Sequence, residues 1–365
     1  MRWALITGEY PPQFGGVSDH TASLAQRLAD AGDEVHVWAV GSRKPAADVV
    51  GRAAVTVHCT GQSGLDRGLD ATVPERILVQ YVPHAFGWKA MNVPFCRLIA
   101  RRREHLSILF HEVAFPREAS QPLRHRLLAA VNRVMARTLI DAADRVYIST
   151  PAWQPRLDRI AGRHVPAVWL PTPSNLPTAV RAGDAAALRK RLDATGEARL
   201  IGHFGTFGSL LMPLLESIFV SLLASDPRVK IILTGRGSAE FAAGRSGFHA
   251  SGGVPAGEAA LYLAACDLIV QPYPDGVTSR RGSIMASLAL GLPVITNRGP
   301  ATEPVWEESE AVALAHTAEE FGARACTLLA DATARAALAR RGASLYQDRF
   351  AIEHTIRALR QGHLS

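Results

Sequence analysis

The chain has 365 residues, 48% of them hydrophobic and 20% charged, with a formal net charge of +7. That apolar content suffices for two packed cores of about 170 residues each and excludes global disorder; no apolar run reaches the roughly 20 residues that span a bilayer. The basic excess rests on 36 arginines against four lysines (Lys44, Lys89, Lys190, Lys230), which suits an anionic ligand such as a diphosphate, or an anionic surface, while the absence of a zinc finger, an RNA-binding signature or a basic tail argues against nucleic acid.

Cys59, Cys96, Cys266 and Cys326 are scattered, form no C-x-x-C pair and read as small core residues. The opening MRWALITGEY lacks the long apolar stretch and cleavage site of a signal peptide, so the expected location is cytoplasmic. RWALIT reads as a strand and VSDHTASLAQRLADAG as a helix stopped at Gly32. EVHVWAV, RILVQYV, SILFHE and RVYIST follow as strands, with an Arg-rich helix from about Pro122 to Ala143 between the last two. The proline-rich HVPAVWLPTPSNLPTAVRAGD marks a linker around Pro171 to Gly183. RLIGHFGTFG, VKIILTGRG, LIVQPYP and PVITNRG then restart the alternation. This pattern predicts an α/β chain of two doubly wound parallel sheets, residues 1–175 and 176–349. A last helix, residues 350–365, is expected to pack back toward the first domain.

Ligands of such sheets bind beyond the carboxyl ends of the strands, at glycine-rich loops and helix N-termini. In GEYPPQFGGVSDH, Gly15 and Gly16 permit close backbone approach before a helix start, or simply make a tight turn; Asp19 and His20 follow in the first helical turn. His111 and Glu112 end the strand SILFHE, where a histidine beside a carboxylate orients a hydroxyl or takes a proton; a backbone-bonded pair is the plainer reading. Tyr81, His84 and Asn92 form a weaker acceptor candidate. In the second half, Gly205, Thr206 and Gly208, then Gly235, Arg236, Gly237 and Ser238, follow strands. The densest signal is an exposed loop carrying Asp275, Thr278, Ser279, Arg280, Arg281, Gly282 and Ser283 into a helix. Backbone N–H groups, hydroxyls and two guanidinium groups there make a diphosphate site, against the alternative of a solvated arginine pair.

Together PPQFGGVSDHTASLAQRLADAGDEVHVW, the HE strand end, ADRVYIST, GEAALYLAACDLIVQPYPDG and GLPVIT resemble the retaining glycosyltransferases of family 4, which have the GT-B fold. The resemblance covers nearly the whole chain in order. It implies a nucleotide-sugar donor held by the second domain and an acceptor (a small molecule, a glycan or a lipid-linked species) held by the first. It further implies Gly16 near the donor phosphates, His111 near the reacting sugar, and Val254 with Glu258 beside the nucleoside. No cofactor or divalent metal is expected, and no D-x-D motif is present. Two of the family's features are absent: its E-x7-E glutamates fall at Thr278 and Ala286, and its diphosphate-binding Arg and Lys fall near His203 and Gly208. Ser283 and Ser287 are the nearest polar substitutes on that helix, and Arg280 and Arg281 are the expected replacement cations.

The leading expectation is thus a metal-independent, retaining transferase of hexosyl type. His111, Asp19 and Arg280 are its expected catalytic residues; Asp19, His20, Tyr81, His84 and Glu112 contact the acceptor. The alternatives are a nucleotide-sugar epimerase on the same fold and a non-catalytic scaffold. A pyridoxal-phosphate phosphorylase lacks a loop lysine, since Lys190 and Lys230 fall in a helix and a strand. FCRLIARRREH and PREASQPLRHRLLAAVNRVMAR concentrate arginine in the first domain. They read first as a solvated face, and otherwise as a peripheral contact with the inner face of an anionic membrane.

Overall fold

The computed structural model describes residues 1–13, 15–40, 55–116 and 121–361. Lys44, Phe14 of the first loop, the Arg117–Ser120 stretch and the last four residues of the expected final helix lie outside the described residues. The chain forms two compact units: Met1–Pro171 together with Ile352–Ser365, and Thr172–Ala351.

The first unit is a parallel sheet of seven strands: β1 Arg2–Thr7, β2 Glu34–Val40, β3 Val55–Thr60, β4 Arg76–Tyr81, β5 His105–Phe110, β6 Arg145–Ile148 and β7 Ala167–Trp169. Its helices are α1 Gly16–Asp30, α2 Gln62–Thr72, α3 Val93–Ala100, α4 Leu123–Ala142 and α5 Gln154–Ala161. Both faces of the sheet are covered, so the central strands are continuous apolar runs and successive residues enter opposite cores. On β1, Ala4 and Ile6 join Val79, Tyr81 and Phe110 in one core, while Trp3 and Leu5 join Val37, Leu78 and Leu109 in the other. The second core is closed by α1 through Leu24 and Leu28 and by the chain's last helix, Ile352–Gln361, through Leu359. Arg76 fixes that helix: its Nη1 donates to the carbonyls of Leu359 at 2.5 Å and Arg360 at 3.3 Å, filling two acceptors that a helix end leaves open.

The second unit is a parallel six-stranded sheet: β8 Arg199–Phe204, β9 Val229–Thr234, β10 Phe248–Ala250, β11 Leu268–Gln271, β12 Val294–Asn297 and β13 Ala313–Ala315. Its helices are α6 Ala182–Leu192, α7 Met212–Ser225, α8 Ser238–Ala242, α9 Ala256–Ala264, α10 Gly282–Ala289, α11 Val305–Glu308, α12 Ala318–Ala330 and α13 Ala332–Leu345, followed by a π-helical turn at Tyr346–Phe350. Its main core packs Ile231, Leu233, Val270 and Ile295 under Phe219 of α7 and Phe321 of α12.

The strand orders are β3-β2-β1-β4-β5-β6-β7 and β10-β9-β8-β11-β12-β13. In each sheet the chain runs outward from its first strand, then returns to that strand's other side. The reversal lies between β1 and β4, and between β8 and β11, the position at which a doubly wound sheet takes its ligand. The α/β class with two Rossmann-like sheets is as expected from the alternation. SILFHE ends as a strand at Phe110, one residue before His111, whose N–H turns to the carbonyl of Tyr81 at 3.1 Å. Four strands were not expected, β3, β7, β10 and β13, and all four are sheet edges.

Candidate functional site

The β1/β4 crevice of the first unit is built by close approach. A Cβ on Gly8 would lie 2.2 Å from the carbonyl oxygen of Ala85, so only glycine lets the β1 and β4 loops meet. Glu9 then turns back onto α1, where its Oε1 accepts from Ser18 N at 3.2 Å, and a Cβ on Gly15 would lie 2.2 Å from the same oxygen. The positive end of α1 is therefore already engaged by an internal carboxylate. Gly15 serves that contact; Gly16 borders open space, with nothing within 4 Å of its Cβ position. Asp19 stands half-buried in the first turn.

His20 turns inward instead of toward a ligand. It is 3% exposed, its ring nitrogens have no hydrogen-bond partner among the described residues, and its ring meets His111 edge to face at 5.1 Å. His111 lies 2.6 Å, by Nε2, from Gln80 Oε1. With the proton on Nε2 donated to that oxygen, Nδ1 carries the lone pair. Burial lowers His20 to about 4, and burial with the adjacent His20 holds His111 well below its usual range, so both rings are neutral near pH 7. Tyr81 corrects the acceptor expectation: it is fully buried, its ring 5.1 Å from that of Phe110, because β4 alternation points it into the core with Ile77 and Val79. His84 and Glu112 do come together at the surface, 3.7 Å apart. Asn92 is buried and caps α3, accepting from Phe95 N.

In the second unit the β8/β11 crevice begins with a lacing of the two strand ends: Gln271 Nε2 donates to Phe204 O at 2.7 Å, and its Oε1 accepts from Phe204 N at 3.2 Å. Gly205 has φ 152°, and a Cβ on Gly235 would stand 2.1 Å from its carbonyl, which brings the β8 and β9 loops into contact. Thr206 is exposed beside them. The stem of exposed Arg236 packs over Gly253, next to half-buried Val254, while Glu258 is exposed on the first turn of α9.

The 275–283 loop departs from its expected exposure. Thr278 and Ser279 are wholly buried. Ser279 donates through N at 2.9 Å and through Oγ at 2.6 Å to Glu303, whose other oxygen accepts from Trp306 Nε1 at 2.7 Å. Part of the expected anion cradle is thus spent on a buried carboxylate that the sequence reading did not single out. Arg280 pairs with Asp275 at 2.7 Å, Arg281 pairs with the same carboxylate, and the Arg281 guanidinium lies 5.0 Å above the Tyr273 ring. Burial pushes the Asp275 carboxyl up, but the fields and hydrogen bonds of Arg281 and Arg280 outweigh it and hold the group below the usual carboxylate range. Gly282 and Ser283 open α10, with Ser283 Oγ 2.8 Å from Tyr273 OH. Arg280 and Arg281 stand beside a helix N-terminus with Asp275 paired to both and the Glu303 carboxylate on the adjacent Ser279, so an anion arriving there meets donors already engaged by carboxylates. Ala286 is fully buried, and Ser287, the other expected substitute, is buried and donates to Ser283 O of its own helix.

Gln80 and Glu303 were both missed. A glutamine inside the run RILVQYV is a legible signal, since a parallel strand buried on both faces seldom carries an amide without a partner. Glu303 in PATEPVW has no such local mark. Among the described residues no group of three or more His, Cys, Asp or Glu side chains is arranged to hold a metal ion, and no helix is long and apolar enough to cross a membrane.

Two Rossmann-like parallel sheets make this the GT-B architecture. Residues 216–361 match the family model described as "Glycosyl transferase-like", and no curated protein matches the chain in sequence. Among solved structures it is similar to HepE of Anabaena in complex with UDP, at 16% identity over 99% of both chains with a TM-score of 0.74. It is likewise similar to the sucrose-phosphate synthase of Thermosynechococcus elongatus, at 16% identity over 99% of this chain and 98% of that one, TM-score 0.71. A third is WaaG, a glycosyltransferase involved in lipopolysaccharide biosynthesis, at 14% identity over 97% and 98% of the chains, TM-score 0.68.

Proposed function

We propose that this chain is a glycosyltransferase that moves a hexosyl unit from a nucleotide-diphosphate donor to a hydroxyl acceptor, with retention and without a metal. The observation that carries the reading is the β11–α10 loop, where Arg280 and Arg281 flank a helix start at the reversal point of the sheet, inside the segment matched by the glycosyl-transferase-like model. As the bond from the anomeric carbon to the diphosphate breaks, negative charge grows on the leaving oxygens, and preset guanidinium and N–H donors stabilise it. Gly205, Thr206 and Arg236 complete the phosphate side, with Val254 and Glu258 beside the nucleoside. The first unit takes the acceptor with Asp19, His84 and Glu112. His111, neutral and with Nδ1 unprotonated, accepts the hydrogen bond that orients the reacting hydroxyl. One observation favours a non-catalytic binding protein instead: internal carboxylates, Glu9 and Asp275, already stand at both candidate anion positions.

Thermal shifts of wild type and an Arg280→Ala/Arg281→Ala variant with UDP, GDP, ADP, CDP and TDP separate the readings. A nucleotide at about 100 times its Kd adds about 2.7 kcal/mol to stability. One nucleotide stabilising wild type but not the variant is expected, with sugar transfer from the matching donor. No stabilisation by any of the five removes the transferase reading. We further propose that α4 leans on an anionic bilayer: Leu123, Leu127 and Val134 are 79%, 60% and 52% exposed on one helix face, beside exposed Arg124 and Arg126.

A further inference from the structure

The β4–α3 loop carries a feature that the reaction above leaves unused. Gly87, Trp88, Lys89 and Ala90 follow one another with φ of 77°, 51°, 51° and 66°. Three of these four residues carry a Cβ in a conformation that L-residues disfavour, so the surroundings must impose it. Two buried asparagines do so. Asn132 Nδ2 donates to Ala90 O at 2.5 Å, and Asn92 Nδ2 donates to Phe86 O at 2.7 Å. Asn92 is itself held, its Oδ1 accepting from Phe95 N at 3.1 Å and Gln62 Nε2 at 2.7 Å.

This left-handed turn leaves the Trp88 side chain 64% exposed. An indole is seldom given so fully to water without a partner. The turn lines a cavity of about 830 Å³ together with Glu9, Gln13, Gln62, Ser63 and His84. All of the cavity's lining residues belong to the first unit, and they come from the loops of the β1/β4 reversal, where a doubly wound sheet takes its ligand.

We propose that this cavity binds a saccharide ring, with Trp88 as its stacking platform. A pyranose has an apolar C–H face and a rim of hydroxyls, each of which both donates and accepts. An exposed aromatic ring beside the Glu9 carboxylate and the amides of Gln13, Gln62 and Asn92 answers both parts. A nucleotide or sugar phosphate fits less well, because Glu9 is anionic and, among the described residues, neither lysine nor arginine lines the cavity. Taken with the transferase reading, on which this step rests, the ring is the acceptor and the product a glycan or glycoconjugate. The binding itself stands without that reading.

The test uses the full chain as wild type, Trp88→Ala, Trp88→Phe and Gln13→Ala. Each is titrated, by tryptophan fluorescence and ligand-observed NMR, with methyl glycosides of glucose, galactose, mannose and N-acetylglucosamine, and with UMP. At least one glycoside is expected to bind wild type, about tenfold or more weakly to Trp88→Ala, and with recovery in Trp88→Phe. Gln13→Ala, outside the turn, weakens the same glycoside while leaving the melting point unchanged. The proposal is overturned if no glycoside binds, if Trp88→Ala and Gln13→Ala bind as tightly as wild type, or if UMP competes with the glycoside. Nucleotide thermal shifts on the same samples keep the two readings apart. Glycoside binding without nucleotide stabilisation sinks the transferase and leaves the cavity proposal standing.

Discussion

Glu303 is 4% exposed, and its two oxygens collect donors from Ser279 and Trp306. Removing it leaves two N–H groups and one hydroxyl buried without an acceptor, each carrying a desolvation penalty. Glu303→Ala is therefore expected to destabilise the protein by on the order of 3 kcal/mol, with Glu303→Gln, which keeps one acceptor oxygen, losing less. Chemical denaturation midpoints measure both; equal stability of Glu303→Ala and wild type would show that the loop does not depend on this carboxylate. The reactive candidates Arg280, Arg281 and His111 are legible as residue types at the ends of strands. Asp275 lies in the same loop as the two arginines, five and six residues away, but Gln80 is not legible as the partner of His111, nor Glu303 as that of Ser279, because those pairings join a neighbouring strand or a distant loop and a local pattern records only neighbours along the chain. Tyr81 shows the same limit in reverse. Its position in a loop-proximal run suggests a ligand contact, but the two-residue alternation of β4 sends it to the core.

Elements differ in how plainly they announce themselves. The central strands β1, β4, β8 and β11 are apolar on both faces and read directly as strands. The edge strands β3, β7, β10 and β13 are short or half-solvated, with Thr56, His58 and Thr60 on β3 and three residues in each of the others, so the apolar-run signal is missing. On α4, Leu123, Leu127 and Val134 lie four and seven residues apart and share one face, which the arginine content of the segment alone does not disclose. The chain is expected to sediment with vesicles containing phosphatidylglycerol, to be released by salt, and not to sediment with purely zwitterionic vesicles. Leu123→Glu/Leu127→Glu should abolish the binding. Equal sedimentation with both vesicle types, or none with either, would exclude a role for this helix face at a membrane.

At the scale of the whole molecule, each unit hides a histidine whose neutral form burial favours: His20 in the first, His203 in the second, both lowered to about 4. Each titrates near its usual value of about 6.5 when unfolded. Between those values the unfolded state binds the extra proton, so the stability contribution is complete above about pH 6.5 and falls as pH drops toward 4, by up to about 1.4 kcal/mol per pH unit for each ring. His203 also donates Nδ1–H to Val270 O at 2.9 Å, so His203→Asn is the milder replacement, and His20→Leu suits a ring without polar partners. The double variant is expected to show a flatter fall in melting point between about pH 6.5 and 4. An unchanged profile would mean that other groups carry the acid sensitivity.

The sequence by itself determined the α/β class, the two sheets and the strand-end loops worth searching, because burial on both faces of a parallel sheet writes apolar runs directly into the chain and turns require glycine and proline. Only the tertiary structure decided which loop residues are engaged with one another. Glu9 closes the start of α1, Asp275 pairs with both arginines, Glu303 takes Ser279, and two asparagines force Trp88 outward beside a cavity. Those outcomes depend on how each loop is folded at its strand end, and for Glu303 with Ser279 and Asn132 with Ala90 on groups far apart in sequence, so the hydrogen-bond distances exist only once the sheets have formed.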